Sequence, residues 1–104
     1  MEYIYILDKW YGLEISRAEL VRSTPHRVDI ANPVKIWSIA KYSRDMVSGN
    51  ISKKSKDHDT FPTLAEAIQA ALGVLVINRD DAGIAMQKAM DGIQQLYELE
   101  EEAQ

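Results

Sequence analysis

The sequence predicts an α+β fold, in which a small antiparallel sheet of about four strands precedes a long C-terminal helix or helical hairpin. Two observations predict it. Residues 1–42 hold short alternating runs of β-branched and aromatic side chains separated by turn residues. Residues 63–101 instead repeat apolar side chains every three or four positions, as one face of a helix requires. We expect the helix to cover an apolar face of the sheet.

Four strands are expected in the N-terminal part. Residues 2–7 alternate with apolar side chains on both sides, which predicts a strand that is apolar on both faces. Residues 13–21 favour a strand over a helix, because so short a helix gains little from propagation. Residues 26–31, with Val28 and Ile30 inward, and residues 34–42 also alternate, and the turn signal Asn32-Pro33 separates them. Together they predict a small antiparallel sheet or half-barrel.

A polar segment separates the two parts of the chain. Residues 43–59 contain Gly49-Asn50 and the basic run Lys53, Lys54 and Lys56. We expect a loop here, with a brief strand near residues 46–51 as the alternative; long loops are functional or disordered. The expected organisation is one domain over residues 1–104, with a strand-rich part (1–42), a polar loop (43–62) and a helical part (63–101).

The helical part has a predicted start and an ambiguous middle. Thr63 and Glu66 have capping-box spacing, which predicts a helix N-terminus. At residues 78–83 the chain either continues as one helix or turns back as a hairpin. A continuous helix of about 38 residues would be about 57 Å long. Such a helix would extend beyond the strand part and predicts a homodimer through the C-terminal helix, whereas the hairpin permits a monomer.

Composition narrows the class of protein. The absence of cysteine excludes disulfides, thiolate metal sites and a cysteine nucleophile. No apolar run approaches the roughly 18 residues of a membrane span, and the N-terminus lacks a signal-peptide pattern. We therefore expect a cytoplasmic protein. Residues 1–61 carry ten basic and eight acidic side chains, and residues 62–104 carry two and eight, so the helical part is strongly acidic.

Motifs for catalysis are missing from the sequence. It contains no glycine-rich phosphate loop, nucleophile elbow or histidine pair at helical spacing. Asp57, His58 and Asp59 are adjacent potential metal ligands, but adjacent residues rarely converge on one ion without more distant ligands. We expect no enzymatic activity, no metal and no cofactor.

Aromatic and acidic residues predict a protein-binding surface. Trp10 and Tyr11 lie at a predicted turn, where burial is incomplete, and Trp37 is a third candidate anchor. The acidic helical part would meet a basic surface of the partner. The predicted partner-binding residues are Trp10, Tyr11, Trp37, Asp80, Asp81 and Glu98.

Nucleic-acid binding through the basic strand part is the alternative. Basic side chains there would neutralise phosphates and give salt-sensitive binding. The candidate contacts are Arg22, Arg27, Lys35, Lys41, Lys53, Lys54 and Lys56.

The order of features resembles small accessory proteins encoded by phages and prophages. The resemblance rests on residues 21–28, which contain the turn Arg22-Ser23-Thr24-Pro25, and on residues 63–67, which open the helix with Thr-x-x-Glu-Ala. In layout it extends over most of the chain. It implies an accessory protein of a mobile element, in a class that includes inhibitors of host defence systems, and implies no catalytic residue. The expected function is a non-enzymatic interaction protein that binds and modulates a host protein.

Overall fold

Five strands and one helix form the main body of the protein in a computed structural model, which describes residues 2–9, 12–39, 47–79, 94–99 and 101. Residues 94–99 are helical again. The elements in chain order are β1 (Tyr3–Asp8), β2 (Glu14–Ser23), β3 (Arg27–Ser38), β4 (Gly49–Ser52), β5 (His58–Phe61) and α1 (Leu64–Arg79).

The strands form one antiparallel sheet that curls into a half-barrel. Its order is β4-β3-β2-β1-β5, so the first four strands follow each other and β5 returns to the free side of β1. An isolated bridge between Lys54 and Asp59 links the end of β4 to β5. The Thr60 amide also donates to the carbonyl of Lys53 at 2.9 Å. These contacts bring the two edges of the sheet together at one end.

The predicted architecture is wrong in its strand number and in its helix. The sheet has five strands rather than four, and the described residues hold a helix of 16 residues rather than one long C-terminal helix. Helix α1 spans the 16 residues Leu64–Arg79, a length of about 24 Å. Leu96 packs in the same core cluster as Ile68, whereas one straight helix would separate them by about 42 Å. The repeat of apolar side chains over residues 63–101 indicated which side chains face the core, but not the path of the backbone between them.

The expectation of a homodimer depended on the long helix, and that reasoning no longer applies. A short helix packed on the sheet needs no second copy to cover its far end. Residues 80–83, most of the segment where the sequence left a turn or a continuous helix open, lie outside the described residues. Among the residues that the structure does describe, no helix has both the length and the apolar character needed to cross a membrane.

Asn32-Pro33 is not a turn between two strands. Strand β3 runs through it from Arg27 to Ser38. Asn32 takes a positive φ of 48°, a conformation that asparagine tolerates better than most residues. The pairing with β2 shifts register at this point, between Arg17 and Glu19. A β-bulge therefore accommodates both the positive φ and the missing N–H of Pro33, and two predicted strands become one.

The polar segment is also more ordered than predicted. Residues 49–52 form β4 and residues 58–61 form β5, so the expectation of a loop across 43–59 is wrong for these positions. The alternative of a brief strand near residues 46–51 is confirmed where it overlaps β4. Residues 43–46 lie outside the described positions. Each strand has only four residues, too few for a periodic pattern to reveal.

Strand alternation divides the side chains between two faces. The inner face of the half-barrel holds a core cluster, and Val28 and Ile30 belong to it as predicted. The outer face packs against α1. Strand β1 contributes to both, which confirms the prediction that residues 2–7 are apolar on both sides. The inner cluster consists of Ile4, Ile6, Ala18, Val28 and Ile30. The buried outer cluster consists of Leu7, Leu13, Ile15, Trp37, Ala67, Ile68, Ala71 and Leu96.

Thr63 caps the N-terminus of α1. Its hydroxyl accepts a hydrogen bond from the Glu66 backbone N–H at 3.2 Å, which confirms this half of the predicted capping box. We expect Thr63→Ala to lower the free energy of unfolding by about 1 kcal/mol, because one N–H of the first turn loses its partner. Urea denaturation measures the effect. Thr63→Ser keeps the hydroxyl and is the matched control; an equal loss in both variants would contradict a capping role.

Candidate functional site

Helix α1 covers only part of the outer face. Its side chains pack over Leu7, Ile15 and Trp37, towards one end of the sheet. At the other end, large apolar side chains remain accessible to solvent: Tyr3 is 41% exposed, Val21 66% and Val34 53%. Together with Arg17, which is also exposed, they form what we call the open patch (Tyr3, Arg17, Val21 and Val34).

The strand register brings the open patch together. Arg17 in β2 lies opposite Tyr5 in β1 and opposite Val34 in β3, so Arg17 and Val34 share the outer face. The guanidinium carbon of Arg17 lies 4.9 Å from the centroid of the Tyr3 ring. This distance is within the range of a cation–π interaction, which restricts both side chains. Val21 lies at the register shift between Leu20 and Arg22, next to the patch along β2.

Paired polar groups border the patch on the same face. Arg22 lies opposite Asp29 across β2 and β3. The Arg27 guanidinium donates to the side-chain and backbone oxygens of Asn50 and to the Ser52 hydroxyl. The Asn50 amide in turn donates to Asp29 at 2.6 Å. This chain of hydrogen bonds holds the outward side chains of β3 and β4 in place.

The charge of this surface is slightly positive. Among its described residues, three arginines (Arg17, Arg22 and Arg27) face two acids, Glu19 and Asp29. Glu19 accepts a hydrogen bond from the Asn32 side-chain amide at 3.0 Å. The amides of Asn32 and Asn50 thus occupy part of the acceptor capacity of both acids, and the arginines remain the charges that a partner would meet first.

The predicted partner-binding residues lie in different parts of the structure. Trp37 is only 7% exposed and lies in the outer core cluster, so its ring is not a surface anchor. Glu98 is exposed on the helical residues 94–99. Trp10, Tyr11, Asp80 and Asp81 lie outside the described residues.

The predicted nucleic-acid contacts do not share one face. Arg22 and Arg27 are exposed on the outer face, and Lys35 forms an ion pair with Glu14 at 2.7 Å near the opposite end of the sheet. Lys54 and Lys56 are exposed between β4 and β5, beside the half-buried Lys53. Lys41 lies outside the described residues.

The segment Asp57-His58-Asp59 stabilises the turn between β4 and β5. The two ring nitrogens of His58 lie 3.0 Å from the Ser55 hydroxyl and 2.7 Å from the Ser52 carbonyl oxygen. Asp59 forms an ion pair with Lys9 at 2.9 Å. Within the described part of the chain, no group of three or more potential ligands is placed to hold a metal ion.

Sequence reasoning missed the open patch. Tyr3 and Arg17 were recognised only as members of alternating strands, and nothing in their spacing distinguishes a covered position from an open one. Val21 and Val34 are β-branched, as strand residues often are, so no signal in the sequence distinguished them from covered positions.

Comparisons with protein-family models, with curated proteins and with solved structures give no match to this chain. The open patch and the polar groups that border it are therefore the basis for inferring the function.

Proposed function

We propose that this chain is a non-enzymatic interaction protein that binds another protein through the open patch. The observation that carries the proposal is the exposed Tyr3 ring held by the Arg17 guanidinium. Tyrosine and arginine are enriched among the residues that dominate binding energy at interfaces. A ring that is already restricted in the free protein also loses less side-chain entropy on binding.

The composition of the patch indicates the chemistry of the partner. Tyr3, Val21 and Val34 offer apolar contact area, and the neighbouring arginines offer charge-assisted hydrogen bonds. A complementary surface is therefore apolar with carboxylates around it. The resemblance to phage accessory proteins supports a host protein as the partner, and Glu98 on the helical part remains a proposed secondary contact.

Paired tyrosine variants test the patch. The tagged protein is incubated with nuclease-treated bacterial lysate, the captured protein is identified and purified, and its Kd is measured by calorimetry. We expect Tyr3→Ala to weaken binding at least about tenfold, because truncation of a central anchor typically costs about 2 kcal/mol or more. Tyr97→Ala is the control, since Tyr97 is 50% exposed but lies in the helical residues 94–99.

The two variants separate the outcomes. Loss of binding in Tyr3→Ala alone, with unchanged thermal unfolding, supports the open patch as the interface. Equal binding of both variants and the unaltered protein would rule the patch out. Equal losses in both would contradict an interface confined to the open patch and would extend it to the helical residues 94–99.

A second candidate is nucleic-acid binding, favoured by the exposure of Arg17, Arg22 and Arg27 on the same face of the sheet. The same capture without nuclease distinguishes it. Material that is retained only without nuclease, and is released as salt rises, would indicate phosphate contacts rather than a protein partner.

A further inference from the structure

A cleft of about 560 Å³ opens at one end of the sheet. It lies where the ends of β1, β2 and β5 meet the end of β4. Ile4, Leu20, Phe61 and Pro62 supply apolar walls, and Lys53 and Glu2 supply the charged groups of the lining. Its volume is typical of small-molecule sites, and the mouths of β-barrels are frequent locations for them.

The backbone fixes Lys53 at this cleft. Its N–H donates to the His26 carbonyl at 2.9 Å. Its carbonyl accepts from both the N–H and the hydroxyl of Thr60, at 2.9 and 2.8 Å. Ile51, two residues earlier, packs on the inner core. Lys53 follows the last residue of β4, and these contacts hold it in the lining of the cleft.

The ammonium group of Lys53 is the charge that a ligand would meet in the cleft. Lys53 is half-buried and forms no ion pair with any carboxylate that the structure describes. Glu2 is exposed, so water and salt screen its charge more strongly. An ammonium group beside apolar walls favours a ligand that joins an apolar body to an anionic group.

We propose that the cleft binds a small organic acid, with its apolar body against Ile4, Leu20 and Phe61 and its carboxylate beside Lys53. This site lies at the end of the sheet, and it goes beyond the proposed protein interaction. Tyr3 belongs to both the lining of the cleft and the open patch, whereas Lys53 belongs to the cleft alone. Changes at Lys53 therefore test the cleft independently of the partner surface.

The test compares two probes of the same shape by nuclear magnetic resonance. 3-Phenylpropionate carries the carboxylate, and 3-phenylpropanamide replaces it with a neutral amide. We expect saturable shifts of the Ile4, Leu20 and Thr60 amide signals, and about fivefold tighter binding of the carboxylate, as expected for a partly exposed ion pair. Shifts that do not saturate, or equal binding of the two probes to the unaltered protein, would overturn the proposal.

Charge variants then assign the preference to Lys53. We expect Lys53→Gln to abolish the difference between the probes, and Glu2→Gln to tighten binding of the carboxylate slightly. Lys56→Gln is the matched control, because Lys56 is exposed on the same β4–β5 connection but does not line the cleft. If Lys56→Gln reduced the preference for the carboxylate probe as much as Lys53→Gln, that preference would come from the overall charge of the protein and not from Lys53. The comparison of probes on the unaltered protein stays decisive if Lys53→Gln does not fold.

Discussion

Replacing Ile6 with alanine is expected to lower the free energy of unfolding by about 2–5 kcal/mol. Ile6 is 0% exposed and lies in β1, which is hydrogen-bonded to both β2 and β5. Its side chain packs in the inner cluster with Ile4 and Val28. Truncation removes buried apolar surface and leaves a cavity, because paired strands on both sides of β1 limit how far the sheet can collapse.

Urea denaturation monitored by circular dichroism measures this effect. Val34→Ala is the matched control, since Val34 is also β-branched and in a strand but is 53% exposed; we expect a change within about 0.5 kcal/mol. Ile6→Val gives a graded loss of about 0.5–1.5 kcal/mol and stays measurable if the alanine variant does not fold. A loss in Ile6→Ala no larger than in Val34→Ala would mean that the inner cluster is not packed as described.

Removing the ammonium group of Lys35 is expected to have the second largest effect. Lys35 pairs with Glu14 at 2.7 Å, and the Glu14 side chain is 6% exposed. Glu14 also lies opposite the buried Asp8 across β1 and β2, so two carboxylates face each other at this end of the inner face. Lys35→Met takes the cation of this ion pair away while keeping most of the apolar stem.

We expect Lys35→Met to lower the free energy of unfolding by about 2 kcal/mol. This is less than the loss for a fully buried pair, because the Lys35 side chain is 26% exposed and solvent screens part of the interaction. Adding Glu14→Gln should recover part of the loss, since no charge is then left at Glu14. A double-mutant cycle by urea denaturation measures the coupling. If the two single losses simply added, the pair would contribute nothing to stability.

The sequence predicted local elements better than their connections. The strand at residues 2–7, the inward positions Val28 and Ile30, and the Thr63 cap depend on neighbours a few residues away, and all three are confirmed. The turn predicted at Asn32-Pro33 also depended on neighbouring residues, but strand β3 runs through this position. Pairing of β3 with β2 on both sides of the bulge outweighs the turn preference of two residues.

The candidate site was less predictable than the fold. Trp37 was expected as an anchor because an aromatic side chain is a good hot spot wherever it is exposed. The structure buries it beneath α1, beside Ile15 on the adjacent strand. Tyr3 has the same chemistry in a strand of similar pattern and stays open, because α1 packs on the other end of that face. No periodicity distinguishes the two positions.

By itself, the sequence determined that the segments before residue 40 alternate as strands, where α1 begins, and that thiol chemistry is excluded. These properties follow from backbone periodicity, from one capping side chain and from composition, all of which act over short distances along the chain. Only the tertiary structure decided that β5 returns beside β1 and that Leu96 returns to the cluster of Ile68. It also decided which end of the outer face stays uncovered. Those outcomes depend on contacts between residues far apart in sequence, whose packing energies no local pattern encodes.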